Sequence, residues 1–158
     1  GVQTCALPIY LRDELKLDGV IDYKAEKSLT KALAGAAPGG IDVYFDNVGG
    51  DHLQAAIAVA NRFARFAICG MISQYNATEP SPAPRNLMLM MAKAIRMEGY
   101  IQLYHPELWP DFTRDSLAWY RAGKLTWRAT VHEGVDKSVD AFLGLFTGEN
   151  IGKMLVKF

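Results

Sequence analysis

The chain has 158 residues, half of them apolar, enough to bury one globular core but short for a two-domain enzyme. Seventeen basic residues balance seventeen acidic ones, so the charge exerts no pull toward nucleic acid or an anionic membrane and leaves small molecules or proteins as partners. Cys5 and Cys69 stand too far apart for a disulfide framework or a zinc pair. No apolar run nears the roughly 18 residues that cross a bilayer, and no signal-peptide pattern opens the chain, which together read as a soluble protein of the reducing cytoplasm.

Taken in order, residues 10–16 are good helix formers with Leu11 and Leu15 apolar, the pattern of an amphipathic helix ending near Gly19. Gly19–Tyr23 reads as a short buried strand. Ser28 is placed to cap a helix through Ala36, which the Pro38-Gly39-Gly40 breaker ends. Ile41–Phe45 is the strongest strand signal and runs straight into the turn Asn47-Val48-Gly49-Gly50. Asp51 is expected to cap a helix to about Arg62, with Leu53, Ile57 and Ala60 on one face, before a strand from Phe63 to Cys69 that ends at Gly70. Strands and helices alternating with short joints imply right-handed crossovers and a parallel sheet.

Residues 71–86, with the proline cluster Pro80–Pro84, read as a loop. Leu87–Ala94 reads as a methionine-rich helix of the kind that fills a core or a subunit interface. Met97–Tyr104 is expected to be a strand and Pro106–Ala122 a long helix ended by Gly123 and packed down by Trp109, Phe112 and Tyr120. The tail changes character: Leu125–His132 alternates like a half-exposed strand, Asp136–Thr147 is helical, and Gly152–Phe158 alternates again. This β-α-β tail is assigned to a different sheet. The fold class is therefore α/β, a doubly wound, Rossmann-like parallel sheet followed by a β-rich tail.

Three predicted strands end in polar or glycine-containing turns, Asp22-Tyr23-Lys24, Asp46 to Gly50, and Cys69-Gly70-Met71-Ile72-Ser73. In an open parallel sheet, ligands sit beyond the carboxyl ends of the strands, and a side chain at Gly49, Gly50 or Gly70 would hold a flat ring or sugar off the backbone. The plainer reading of any one such turn is topology alone. Cys69 fits a small buried residue better than a nucleophile, because no histidine lies near it in sequence to lower its pKa. His52, His105 and His132 are scattered singly, without ligand spacing, and no metal is expected.

Asp42-Val43-Tyr44-Phe45-Asp46-Asn47-Val48-Gly49-Gly50, Cys69 to Asn76, and Gly148-Glu149-Asn150-Ile151-Gly152-Lys153 resemble the prostaglandin reductase (leukotriene B4 12-hydroxydehydrogenase) branch of the zinc-independent medium-chain dehydrogenases/reductases. Bacterial curcumin reductases and plant alkenal double-bond reductases belong to that branch. The resemblance covers about Tyr10 to Phe158, in the branch's order and spacing. It implies an NADPH-dependent oxidoreductase that reduces the carbon–carbon double bond of α,β-unsaturated ketones or aldehydes, cytoplasmic and homodimeric when complete.

By position the resemblance implies that Tyr23 contacts the 2′-phosphate of NADP and that Asn47 lies beside the cofactor. Cys69, Gly70, Met71, Ile72, Ser73 and Tyr75 would line the nicotinamide and its ribose. Tyr100, Ile101 and Gln102 would form a strand facing the nicotinamide amide, and Asn150 would lie near the pyrophosphate. Tyr75 is the implied chemical participant, its phenol bonding the ribose or the enolate oxygen.

The chain also departs from that pattern. The branch's N-terminal catalytic domain and its glycine-rich pyrophosphate turn have no counterpart here, and residues 1–9 do not resemble it and are expected to be an unrelated scar. The expected organisation is a truncated NADP-binding domain over 10–123 and a tail over 124–158 that returns to a catalytic domain. With that first strand absent, the strand containing Val43 is expected to present an unpaired edge. A non-catalytic nucleotide-binding or interaction module, a structural α/β domain, and a quinone reductase of the same superfamily are the alternatives.

Overall fold

The computed structural model describes residues 9–79 and 82–158. The expectation for the extreme N-terminus, Cys5 included, lies outside the described residues except for Ile9. The chain divides into two compact units, one spanning Gly19–Tyr104 and the other gathering the described residues up to Asp18 with His105–Phe158.

In the first unit, Ser28 caps helix α1 (Leu29–Ala36), its hydroxyl accepting the Lys31 amide at 3.4 Å. Strand β1 (Ile41–Asp46) follows, then helix α2 (Gly50–Val59), strand β2 (Ala60–Ile68), helix α3 (Met88–Ala92) and strand β3 (Arg96–Gly99). The three strands form a parallel sheet in the order β1-β2-β3, the arrangement that strand–helix alternation predicts. One face is covered by α2, whose Leu53, Ala56 and Ile57 pack with Ala60, Ala64, Phe66 and Ile95 into a core. Leu89 and Met90 of α3 pack against that core, whereas Met88 and Met91 are exposed, so the methionine-rich helix is divided between core and surface.

Several boundaries differ from the sequence reading, each for a physical reason. Gly19–Tyr23 is not a strand: a strand exists only through a hydrogen-bonded neighbour, and none of the described residues pairs with this segment. The helix after β1 starts at Gly50, capped by Gly49 at φ 71° with no side-chain bond, so Asp51 lies in the first turn and is not the cap. It stops at Val59, three residues early, because Ala60 already pairs with Ile41. The β1–β2 register then shifts, leaving Phe63 at φ 65° and outside the regular pairing. Strand β3 ends at Gly99, and Gln102–Tyr104 is a 3-10 turn, so the expected strand at Tyr100, Ile101 and Gln102 is absent apart from one further bond, the Tyr100 amide to the Ile68 carbonyl at 2.9 Å. β1 is an edge of the sheet among the described residues, and its Val43 and Phe45 are exposed.

In the second unit, strand β4 (Ala129–Glu133) and strand β5 (Lys153–Lys157) form a separate parallel pair in unbroken register, with helix α5 (Ser138–Thr147) between them in sequence. The expected β-α-β tail on its own sheet is present, with β4 shorter than Leu125–His132. Helix α4 (Trp109–Arg121) follows a 3-10 turn at Pro106–Leu108. It buries no residue, and Trp109, Phe112 and Tyr120 are exposed, Trp109 meeting Phe112 edge to face. Those aromatics are expected from sequence to pack the helix down, but each keeps 44% or more of its surface exposed. Residues Tyr10–Glu14 form one π-helical turn that ends before Lys16, at φ 55°, rather than near Gly19. Arg128 pairs with Glu14 at 2.6 Å and lies over the Tyr10 ring.

Candidate functional site

The sequence of β1 ends on a carboxylate that is fully buried, and the site is built around it. Asp46 Oδ1 accepts the amides of Val48 (2.8 Å) and Gly49 (2.9 Å), folding the Asn47–Gly50 turn back on its own strand. Asp46 Oδ2 has no partner among the described residues. The turn is then stitched to the exit of β2. The Asp46 carbonyl accepts Cys69 and Gly70 amides, the Asn47 carbonyl accepts Ile72, and the Val48 carbonyl accepts the Ser73 amide and also its hydroxyl at 2.5 Å. Gly49 is required here, because its positive φ is joined by a Cβ position only 3.0 Å from the Met71 side chain.

This carboxylate and burial set the local electrostatics. Burial, with the Asp46 charge behind it, pushes the Tyr44 phenol up. Burial and then Asp46 also push the Cys69 thiol up, the opposite of what activates a nucleophile, although the residue is partly exposed and not buried as the sequence suggests.

The carboxyl ends of β2 and β3 enclose an open pocket of about 410 Å³ lined by Ile68, Cys69, Gly70, Gly99, Tyr100, Ile101 and Tyr104. Of the residues expected to line a cofactor, it gathers Cys69, Gly70, Tyr100 and Ile101. Tyr104 was missed; its sequence signal is an aromatic one helical turn beyond Tyr100. At Gly99 an added Cβ would meet nothing within 4 Å, so the floor there is bare backbone facing open space.

The remaining expected residues do not line this pocket. Tyr75 is exposed, and its hydroxyl turns back to accept the Met71 amide at 3.4 Å. Asn47 is exposed, Gln102 lies in the 3-10 turn, and Met71 packs against the core. Ser73, with Gly50, lines a second cavity of about 460 Å³ bordered by Asp51, Gln54 and the segment Pro82–Arg85. Asn150 belongs to the second unit, where its amide donates to the Gly152 carbonyl at 2.7 Å.

Tyr23 sits in a turn held by Asp22, whose side chain accepts the Lys24 amide. Its ring lines a small cavity of about 180 Å³ with Ile21, Leu29, Leu33, Tyr44 and His52, and it meets His52 edge to face with centroids 4.8 Å apart. His52, which the sequence shows only as a lone histidine without ligand spacing, is a partly buried neighbour of Tyr23.

Comparison with known proteins agrees with this architecture. The family model described as zinc-binding dehydrogenase matches residues 11–118. The chain is 38% identical over 146 residues to the 2-alkenal reductase (NADP(+)-dependent) of Nicotiana tabacum, covering 92% of this chain and 42% of that protein. It is 40% identical over 149 residues to prostaglandin reductase 1 of Rattus norvegicus, covering 94% and 45%. The crystal structure of CurA in complex with NADPH from Vibrio vulnificus superposes with a TM-score of 0.87 at 34% identity, over 98% of this chain and 47% of that one. The chain thus spans less than half the length of each of these proteins.

Proposed function

The chain belongs to the zinc-binding dehydrogenase family, and on that premise we propose that it is part of an NADPH-dependent reductase of carbon–carbon double bonds conjugated to a ketone or aldehyde. The observation that carries the proposal is the pocket between the ends of β2 and β3. Its Gly99 leaves bare backbone, the Cβ position of Gly70 is closed off by the Tyr75 hydroxyl and the Asn47 carbonyl, Ile68 and Ile101 supply apolar walls, and Tyr100 and Tyr104 supply rings. Such a pocket fits a flat heteroaromatic ring such as nicotinamide. The relatives named for NADP and for alkenal reduction, and the superposed protein solved with NADPH, support the same reading.

NADPH, when bound, supplies the hydride. The chain's own residues then have separate tasks in this proposal. Cys69, Gly70, Tyr100 and Ile101 hold the nicotinamide and exclude water from it. Asn47, Met71, Ile72, Ser73 and Gln102 border the ribose and ring, Asn150 serves the pyrophosphate, and Tyr23 meets the 2′-phosphate. Tyr75 donates its phenolic proton in a hydrogen bond to the carbonyl oxygen as negative charge develops there. Residues at this rim do chemistry without zinc, and the whole protein acts as a cytoplasmic homodimer. The 158-residue chain by itself reduces no enone on this reading, since it spans less than half of such enzymes.

Two measurements test the proposal. Tyr23→Ala is expected to weaken NADPH binding more than NADH binding; equal losses would reduce Tyr23 to a structural cap. With the N-terminal half of a relative's length supplied, Tyr75→Phe is expected to slow single-turnover hydride transfer by about ten- to a thousandfold while NADPH affinity changes far less. An unchanged rate would remove Tyr75 from the mechanism.

A further inference from the structure

Tyr23 lies in a turn, outside any helix or strand. Residues 19–23 make no strand, and Asp22 shapes the turn that follows, through its carboxylate to the Lys24 amide at 3.2 Å and its carbonyl to the Ala25 amide at 3.0 Å. A tyrosine on such a segment can swing about its χ angles unless another side chain fixes its ring. His52 does so. Its imidazole meets the Tyr23 ring at 4.8 Å between centroids and 69° between planes, within the range where an aromatic edge is attracted to a ring face.

His52 is itself well anchored. It lies in the first turn of α2, its amide donating to the Gly49 carbonyl at 3.1 Å, and the next residue, Leu53, is buried in the core. The turn before it is fixed by Asp46. His52 therefore joins the Tyr23 turn to the turn that Asp46 fixes and to α2. Leu29 and Leu33 of α1 and Tyr44 of β1 wall the same cavity, so both rings have apolar support on the sides away from solvent.

We propose that His52 is a positioning residue for Tyr23: the edge-to-face contact orients the tyrosine toward the 2′-phosphate of NADPH, and preference for NADPH over NADH depends on both rings. The inference rests on the cofactor reading given above, in which Tyr23 meets that phosphate. Burial holds the His52 imidazole below its ordinary value near 6.5, so at neutral pH it is an uncharged ring suited to stacking, not a cation competing for the phosphate.

The test is a double-mutant cycle on the 158-residue chain, with NADPH and NADH as probes and dissociation constants measured by calorimetry on variants of equal thermal stability. His52→Ala is expected to weaken NADPH about three- to tenfold, the scale of one aromatic pair, and to leave NADH unchanged. His52→Phe keeps the ring edge and is expected to retain the parent's preference. In a Tyr23→Ala background, His52→Ala is expected to cost nothing further.

The inference is overturned if His52→Ala weakens both cofactors equally or neither, if Phe fails to rescue, or if the loss persists without Tyr23. A parent chain that shows no preference for NADPH overturns the cofactor reading itself and this inference with it. A parent that prefers NADPH, loses that preference in Tyr23→Ala and keeps it in His52→Ala overturns the inference alone.

Discussion

Replacing Gly99 by Val adds three carbon atoms at the end of β3 where nothing stands within 4 Å of the new Cβ. The fold raises no steric objection to the new Cβ. Removing a glycine narrows the unfolded ensemble, worth about 0.4–1 kcal/mol to the folded state, and valine suits a strand better than glycine by up to about 1 kcal/mol. Unfolding in urea, followed by circular dichroism, is therefore expected to show a variant as stable as the parent or about 1 kcal/mol more so. Binding should move the other way, because Gly99 is part of the floor of the pocket shared with Gly70 and Tyr100. A gap of about 0.5–1 Å between packed surfaces forfeits a quarter to a half of their dispersion attraction. A side chain that lifts a flat ring by that much should lower NADPH affinity about ten- to a hundredfold, or roughly 1.4–2.7 kcal/mol. Opposite signs for stability and affinity are the signature. Parent-like affinity would refute the assignment of this pocket to the nicotinamide ring, and a destabilised variant would refute the claim that the space above Gly99 is open.

Gly152→Ala is expected to destabilise the second unit by about 2–4 kcal/mol, from a left-handed φ and a clash of the new Cβ with the Arg128 carbonyl. That carbonyl accepts the Lys153 amide at 3.0 Å at the start of the β4–β5 ladder, so loss of hydrogen-exchange protection at Lys153 is the readout, and unchanged protection would contradict it. Cys69, studied with Cys5 replaced by Ser, is expected to react with iodoacetamide more slowly than the same thiol in urea, with its pH–rate midpoint above the ordinary 9.0 because burial and then Asp46 disfavour the thiolate. Alkylation as fast in the folded chain as in the unfolded one would show the thiol to be unprotected.

Helices and turns were legible in the sequence where their causes are local. Ser28 capping α1 needs only the amide three residues on, and Asp46 closing the Asn47–Gly50 turn needs amides two and three residues away. Strand boundaries were not local facts. Ala60 reads as the last turn of a helix by its apolar spacing and becomes the first residue of β2 only because Ile41 is beside it. Gly19–Tyr23 has every compositional mark of a buried strand and is not one, since pairing is a relation between two segments and composition describes one. The aromatic residues of α4 show the same limit from the side of burial, for an apolar stripe states that a surface is wanted and not that one is present.

The site follows the same division. Its rim was readable because the ends of β1 and β2 each carry their glycines and polar groups within a few residues, and the bonds from Asp46, Asn47 and Val48 to the segment 69–73 join these two clusters. Tyr104 and His52 escaped because each acquires its place only through space, one by a 3-10 turn that folds it over the pocket and the other by a helix that begins at Gly50 instead of at Asp51. That shift of a helix start has chemical weight. With Gly49 as the cap, at a φ that a side chain resists, the first turn presents Asp51 outward and His52 toward Tyr23. A cap at Asp51 would put His52 at the first helical position instead of the third. The glycine pair that reads in sequence as room for a ligand therefore also sets the phase of the helix that supports the ligand's neighbour.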